Sequence, residues 1–99
     1  MRVLIVAKRI NIARNKLESL VMDMNEDDIS KIKKSTNEMI VELKNGDVYK
    51  TATEYDTLRG CKCDKIYVQD GFPDDFEDIM VYPLLVFSCL PKSERVVYF

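Results

Sequence analysis

Runs of apolar residues divide the start of the chain into a strand followed by a helix. Residues 3–7 are continuously apolar and largely β-branched, which is typical of a strand buried on both faces of a sheet. From Ile10 to Met24, apolar residues recur at three- and four-residue spacing, and Asn11 can cap the first turn through its side-chain oxygen. The pattern predicts an amphipathic helix over residues 12–24 and the opening of an α/β unit.

The segment from Asn25 to Lys34 carries its acids first and its lysines last. Three acids follow Asn25, and Lys31, Lys33 and Lys34 come at the end of the segment. Because acids are favoured at the start of a helix and cations at its end, this order predicts a second, short helix.

The middle of the chain has the pattern of a hairpin followed by another strand. Met39, Val41 and Leu43 recur at every second position, Asn45-Gly46 suits a tight turn, and residues 48–53 form the returning strand. Residues 64–69 are then predicted to form another strand, which ends at Asp70-Gly71.

The last third of the chain predicts a short helix and a final strand. Pro73 and a small apolar face favour a helix over about residues 74–82. Residues 84–90 are apolar except for Ser88, so periodicity leaves strand and helix open for them. As a strand, they would form a terminal hairpin with residues 95–99 across the turn at 91–94 and cover the edge of that last strand. Residues 95–99 have the composition of a strand.

Composition and charge narrow the possible chemistry. The 99 residues include no histidine, which excludes histidine bases and histidine-containing zinc sites. The three cysteines (Cys61, Cys63 and Cys89) are too few for a four-ligand zinc site. The opening apolar run is too short for a secretory signal or a membrane span, so we expect a reducing cytoplasm and no membrane contact.

A cluster of acidic residues lies in the last third of the chain. The net charge is −2, which argues against nucleic-acid binding. Residues 70–78 contain no Lys or Arg, and their acids are Asp70, Asp74, Asp75, Glu77 and Asp78. This cluster is most typical of a solvated helix start. An acidic surface for a protein partner is the second interpretation, and a divalent-cation site is the third.

Four segments together resemble a known family. They are the strand and helix of residues 2–24, the Asn-Gly hairpin of residues 40–48, the pair Arg59-Gly60, and Lys-Ile-Tyr-Val-Gln-Asp at residues 65–70. In this order and spacing they resemble the ATPase domain of the large subunit of phage terminases, the motors that package phage DNA.

The resemblance implies a fold for the whole chain. It implies one truncated P-loop-ATPase-like domain over residues 1–99, a small, three-layer-like α/β structure with two to three helices. Strands at about residues 2–7, 65–69 and 95–99 would be parallel neighbours in the sheet, and the fold would also contain a β-hairpin at about residues 38–53.

The resemblance also implies that the catalytic parts are incomplete. No Gly-x-x-x-x-Gly-Lys-Ser/Thr loop occurs in these residues; in the family this loop would come before Met1. The two acids that usually end the Walker B strand correspond to Gln69 and Asp70, and the neutral amide of Gln69 is a poor ligand for a hard dication. We therefore expect no catalysis, no metal and no cofactor, unless a partner chain supplies the phosphate-binding loop.

The same resemblance predicts where a partner would bind. Without further strands beyond it, the last strand would be an uncovered apolar sheet edge, which tends to recruit another strand. We therefore expect a homodimer or a partner strand along this edge, at Arg95, Val96, Val97, Tyr98 and Phe99.

Two functional hypotheses follow from these observations. The first is a non-catalytic phage or prophage protein of the host cytoplasm that acts by protein contact, as a modulator or decoy of an ATPase or as one piece of a split enzyme. The alternative is a small phage effector that blocks a host or defence protein, with the acidic residues Asp74, Asp75, Glu77 and Asp78 acting as a DNA mimic.

Overall fold

A mixed β-sheet of six strands forms the centre of the structure. The computed structural model describes residues 1–36, 38–53, 63–72 and 95–99. Its strands are β1 (Arg2–Ala7), β2 (Ile29–Lys34), β3 (Met39–Leu43), β4 (Val48–Thr53), β5 (Lys65–Val68) and β6 (Val96–Tyr98). The α-helix α1 (Ile10–Met22) and a 3-10 turn (Glu26–Asp28) complete the elements of the described residues.

The strand order is β2-β3-β4-β1-β5-β6, and the sheet is partly parallel. β1 runs parallel to both β4 and β5, and β5 runs parallel to β6. β3 is antiparallel to β2 and to β4. The predicted α/β class and the parallel order of the strands near residues 2–7, 65–69 and 95–99 are therefore confirmed. The pairing of β4 with β1, which joins the hairpin to the same sheet, was not predicted.

Two apolar cores lie on the two faces of this sheet. The core on the side of α1 consists of Val3, Ile5, Ala7, Ala13, Leu17, Met39 and Val41. The core on the opposite face consists of Leu4, Val6, Ala52, Cys63, Ile66 and Val68. β1 supplies alternate side chains to both, and this confirms the prediction that it is buried on both faces.

The predicted Asn-Gly hairpin is present as β3 and β4. The backbone N–H of Leu43 donates to the carbonyl of Asp47 at 2.8 Å, and the Asn45 side chain accepts from the N–H of Asp47 at 2.9 Å. Gly46 has φ of +96°, a left-handed conformation that glycine adopts without steric cost.

The helix α1 begins earlier than the sequence pattern indicates. The backbone N–H groups of Ile12 and Ala13 both donate to the carbonyl of Arg9, at 3.2 and 3.3 Å, so the first turn starts at Ile10. Arg9 holds the N-cap position without a side-chain hydrogen bond. The prediction that Asn11 caps the helix is therefore wrong, because Asn11 lies inside the first turn.

The predicted helix between Asn25 and Lys34 is also wrong. Asn25 does cap a turn, accepting from the N–H of Asp27 at 3.1 Å, but that turn ends at Asp28. The chain then becomes strand β2, which pairs with β3. The hydrogen bonds gained from this pairing outweigh the dipole preference, and lysines are common on an exposed edge strand.

Several predictions concern residues that the structure does not describe. The helix at 74–82, the strand or helix at 84–90, Cys61 and the segment around Arg59 lie outside the described residues.

One buried hydroxyl completes the pairing of the hairpin. The side-chain oxygen of Thr51, only 2% exposed, accepts from the backbone N–H of Met39 at 2.8 Å. We predict that Thr51→Val lowers the free energy of unfolding by about 1–3 kcal/mol, because it leaves that N–H without an acceptor. Urea denaturation measures this loss. Thr51→Ser keeps the hydroxyl and serves as the control; equal stability of the valine variant and the native protein would contradict the prediction.

Candidate functional site

The carboxyl ends of four parallel strands meet at one end of the sheet. β4 ends at Thr53, β1 at Ala7, β5 at Val68 and β6 at Tyr98, and the strands are neighbours in the order β4-β1-β5-β6. In open α/β sheets, ligands bind at this end, near the point where the strand order reverses. The order reverses at β1. The next strands in the chain, β2, β3 and β4, lie on one side of β1, and β5 and β6 lie on its other side.

Gln69 joins the ends of β1 and β5. Its backbone N–H donates to the carbonyl of Val6 at 2.9 Å, which continues the parallel ladder. Its side-chain oxygen Oε1 accepts from the backbone N–H of Lys8 at 2.8 Å. The amide oxygen is therefore hydrogen-bonded to the protein backbone, and Gln69 links the end of β1 to the end of β5.

Asp70 and Gly71 join the end of β5 to the end of β6. The N–H of Asp70 donates to the carbonyl of Phe99 at 2.8 Å, and the N–H of Phe99 donates to the carbonyl of Val68 at 3.0 Å. The carboxylate oxygen Oδ1 of Asp70 accepts from the N–H of Gly71 at 3.0 Å. This geometry fixes the turn that follows β5 and leaves the Asp70 side chain exposed.

Gly71 allows the Lys8 side chain to pass close to this turn. Gly71 has φ of +99°, and a Cβ atom there would lie 3.2 Å from the Lys8 ammonium nitrogen Nζ. The same Nζ lies 5.9 Å from the centroid of the Phe72 ring, a cation–π distance. Lys8 is a site residue that the sequence analysis missed; its position directly after a buried strand was the available signal.

The chemistry that the strand ends can offer depends on the polar groups around them. Among the described residues, these include the amide of Gln69, the exposed carboxylate of Asp70 and the ammonium group of Lys8. Hard dications prefer several carboxylate or carbonyl oxygens, and the amide oxygen of Gln69 is already hydrogen-bonded. Within the described parts of the chain, no group of three or more His, Cys, Asp or Glu residues is placed to hold a metal.

The last strand presents its side chains alternately to the two faces of the sheet. The register pairs Val96 with Ile66, Val97 with Tyr67 and Tyr98 with Val68. Val96 packs against the core opposite α1, and Tyr98 is 50% exposed on that side. Among the described strands, β6 is the last on its side of the sheet.

Two lysines lie over the aromatic rings beside this strand on the α1 side. The Nζ atom of Lys16 is 5.7 Å from the Tyr67 ring centroid and 5.5 Å from the Phe99 ring centroid. The Nζ atom of Lys65 is 5.0 Å from the Tyr67 ring centroid. Such contacts are worth about 0.5–1 kcal/mol each at exposed positions, and Lys16 lies near both the Tyr67 ring of β5 and the Phe99 ring.

The remaining predicted site residues are not among those the structure describes. They are the family-motif residues Arg59 and Gly60 and the acidic residues Asp74, Asp75, Glu77 and Asp78. Of the predicted site, the structure therefore brings together Gln69, Asp70 and the strand of residues 95–99. Arg95, half-buried, lies just before β6, which begins at Val96.

An exposed ion pair connects α1 to the other edge of the sheet. Lys34 Nζ lies 2.8 Å from Glu18 Oε1, and the hydrogen bond and charge of Lys34 hold the pKa of Glu18 below its usual value of 4.5. Since the lowered pKa belongs to the folded state, the stabilisation is present above pH 4.5 and is lost as pH falls through the folded pKa.

We predict that Glu18→Gln removes this part of the pH dependence. Urea denaturation of both proteins at a series of pH values measures it. The difference in stability between native protein and variant shrinks as the solution is acidified. A difference that is constant between neutral and acidic pH would contradict the prediction.

No family model, no curated protein and no solved structure matches the chain. The terminase resemblance therefore rests on the four sequence segments and stays a prediction. No helix among the described residues is both long and apolar enough to cross a membrane.

Proposed function

We propose that this protein is a non-catalytic, terminase-like phage or prophage protein that acts by protein contact through β6. In this proposal it works in the host cytoplasm as a modulator or decoy of an ATPase, or as one piece of a split enzyme. The observation that carries the proposal is β6 itself, an uncharged strand at the end of the described sheet with a half-exposed tyrosine.

The state of Gln69 supports the non-catalytic part of the proposal. In a P-loop ATPase an acid at the end of this strand holds the magnesium water shell. Here the side chain is neutral, and its oxygen accepts the Lys8 N–H at 2.8 Å. A metal site at this position would require a charged side chain in place of Gln69, and the hydrogen bond to Lys8 would have to break.

The orientation of the backbone N–H and C=O groups of β6 supports the proposed protein contact. The N–H of Phe99 donates towards β5, to the carbonyl of Val68. Because backbone groups alternate along a strand, those of Val97 also face β5, and those of Val96 and Tyr98 point away from it. Two N–H and two C=O groups are thus directed to where an added strand would lie.

A second copy of the chain fits this edge. If two β6 strands pair antiparallel about Val97, Val96 of each copy lies opposite Tyr98 of the other. Such a two-fold contact is self-complementary and closes without further growth. The three residues of β6 carry no charge, so the pairing brings no like charges together.

Two measurements on the purified protein test the proposal. Light scattering should give the mass of a dimer, and calorimetry with Mg²⁺ and ATP should give no heat of binding. A monomer in which the Val96 and Tyr98 amide hydrogens exchange freely would remove the contact hypothesis. Heat of binding with Mg²⁺-ATP would remove the non-catalytic one.

The acidic-surface alternative has its own test. If Asp74, Asp75, Glu77 and Asp78 act as a DNA mimic, charge reversal at Asp74, Asp75 and Asp78 abolishes binding to the partner captured from host lysate. Under the β6 proposal the same variant retains its binding. An ATPase subunit as the captured partner supports the first function, and a DNA-binding enzyme supports the alternative.

A further inference from the structure

An apolar groove lies at the sheet edge opposite β6. It has a volume of about 550 Å³, runs between the end of α1 and β2, and is lined by Val21, Met22, Met24, Glu26, Ile29 and Ile32. Met22 is 85% exposed and Ile32 is 45% exposed. Large exposed apolar side chains grouped along a concave surface mark an interaction site.

The backbone of β2 is oriented to accept another strand. The N–H of Ser35 donates towards β3, to the carbonyl of Glu38, at 2.9 Å. Because backbone groups alternate along a strand, the N–H and C=O groups of Lys31 and Lys33 also point towards β3. Those of Ile32 and Lys34 point outwards. Among the described strands, β2 is the last on this side of the sheet.

The two faces of β2 differ in charge. Ile32 and Lys34 pair with the core residues Val41 and Met39 and so lie on the α1 side, beside the groove. On that side the charge of Lys34 is balanced by Glu18, 2.8 Å away. The groove side of this edge is therefore largely apolar, with Glu26 as the acid among its lining residues.

The opposite face of β2 is basic. Lys31 and Lys33 lie on this face. Lys33 pairs with Ile40 of β3, and Ile40 pairs with Lys50 of β4, so Lys50 lies on the same face. The acidic residue Glu42 pairs with Lys31 and also lies on this face. Among the ion pairs of the described residues, none involves Lys31 or Lys33.

We propose that this edge binds an extended segment of another protein in which apolar and acidic residues alternate. Its backbone pairs with Ile32 and Lys34. Because side chains alternate between the faces of a strand, its apolar residues enter the groove while its acids face Lys31 and Lys33.

Charge excludes a second copy of the same edge as the occupant. Two β2 strands side by side would bring lysines against lysines, and like charges across a ladder are destabilising. Lysines on an edge strand thus reject self-pairing and select an acidic partner. This surface is independent of the proposed contact at β6, which is uncharged and at the other end of the sheet.

A designed peptide tests this surface on the full chain. We would measure the affinity of a fluorescent, end-capped peptide in which Val alternates with Glu, and of a control peptide in which Val alternates with Lys. The protein variants are Lys33→Glu and Ile32→Thr, which keeps the β-branched shape. Arg9→Glu, at the far end of α1, is the control for charge reversal.

The expected result is binding of the acidic peptide and not of the lysine peptide. Lys33→Glu and Ile32→Thr should each weaken binding by about fivefold, and Arg9→Glu should leave it unchanged. Added peptide should protect the Ile32 and Lys34 amides from hydrogen exchange. Equal binding of both peptides, no effect of Lys33→Glu, or protection at Val96 and Tyr98 instead would overturn the proposal.

Discussion

Ile5→Ala should lower the free energy of unfolding by about 2–5 kcal/mol. Ile5 is fully buried in β1 and packs in the core on the α1 side. β1 is paired on both sides, with β4 and β5, so the backbone around the shortened side chain has little freedom to close the cavity. The loss therefore includes a cavity cost in addition to the lost burial of apolar surface.

The matched control is the same substitution at the sheet edge. Ile32 in β2 is 45% exposed, so Ile32→Ala should cost less than about 1 kcal/mol. Urea denaturation followed by circular dichroism measures both variants. Similar losses at Ile5 and Ile32 would contradict the assignment of β1 as the centre of the core.

Tyr98→Pro should raise the dissociation constant of the proposed dimer by roughly tenfold relative to Tyr98→Ser. The N–H of Tyr98 points away from β5, so proline removes a hydrogen bond to the second copy and none to β5. Each dimer loses two such bonds. Proline is tolerated on an edge strand at a position of this kind.

The serine variant isolates the backbone contribution. Tyr98→Ser also loses the aromatic ring, which is 50% exposed, but it keeps the N–H group. Light scattering across a dilution series gives the dissociation constants of both variants. If serine and proline weaken the dimer equally, the contact does not use the backbone of β6.

Strands with a strong local pattern were predictable from the sequence. The apolar run of β1 needs burial on both faces, and the Asn-Gly pair selects a tight turn, so both features appear where the pattern indicates. The segment from Asn25 to Lys34 was not predictable, because its local preference for a helix is overridden by pairing with β3. That pairing depends on residues distant in sequence.

The position of Gln69 and Asp70 in the fold was predictable, but their contacts were not. The strand predicted over residues 64–69 puts both residues at its carboxyl end, and β5, which ends at Val68, agrees with that position. The hydrogen bond from the Lys8 N–H to the Gln69 side chain joins residues 61 positions apart. Nothing in a local pattern specifies that contact, nor the close approach of Lys8 to Gly71.

The basic face of β2 was likewise not predictable from the sequence. Lys31 and Lys33 are separated by one residue, and a short helix and a strand project them in different directions. Once the strand is known, the register places Lys50 beside them and puts Ile32 next to the groove. The surface is therefore a product of strand pairing, and the linear order of charges does not reveal it.

Amide hydrogen exchange at Val96 and Tyr98, measured at high and at low protein concentration, tests the proposed contact most directly. The account predicts slow exchange of both amides at high concentration and fast exchange after dilution. Ile32 and Lys34, whose amides also point away from the sheet, should exchange fast at both concentrations. Fast exchange of Val96 and Tyr98 at both concentrations, with the mass of a single chain by light scattering, would contradict it.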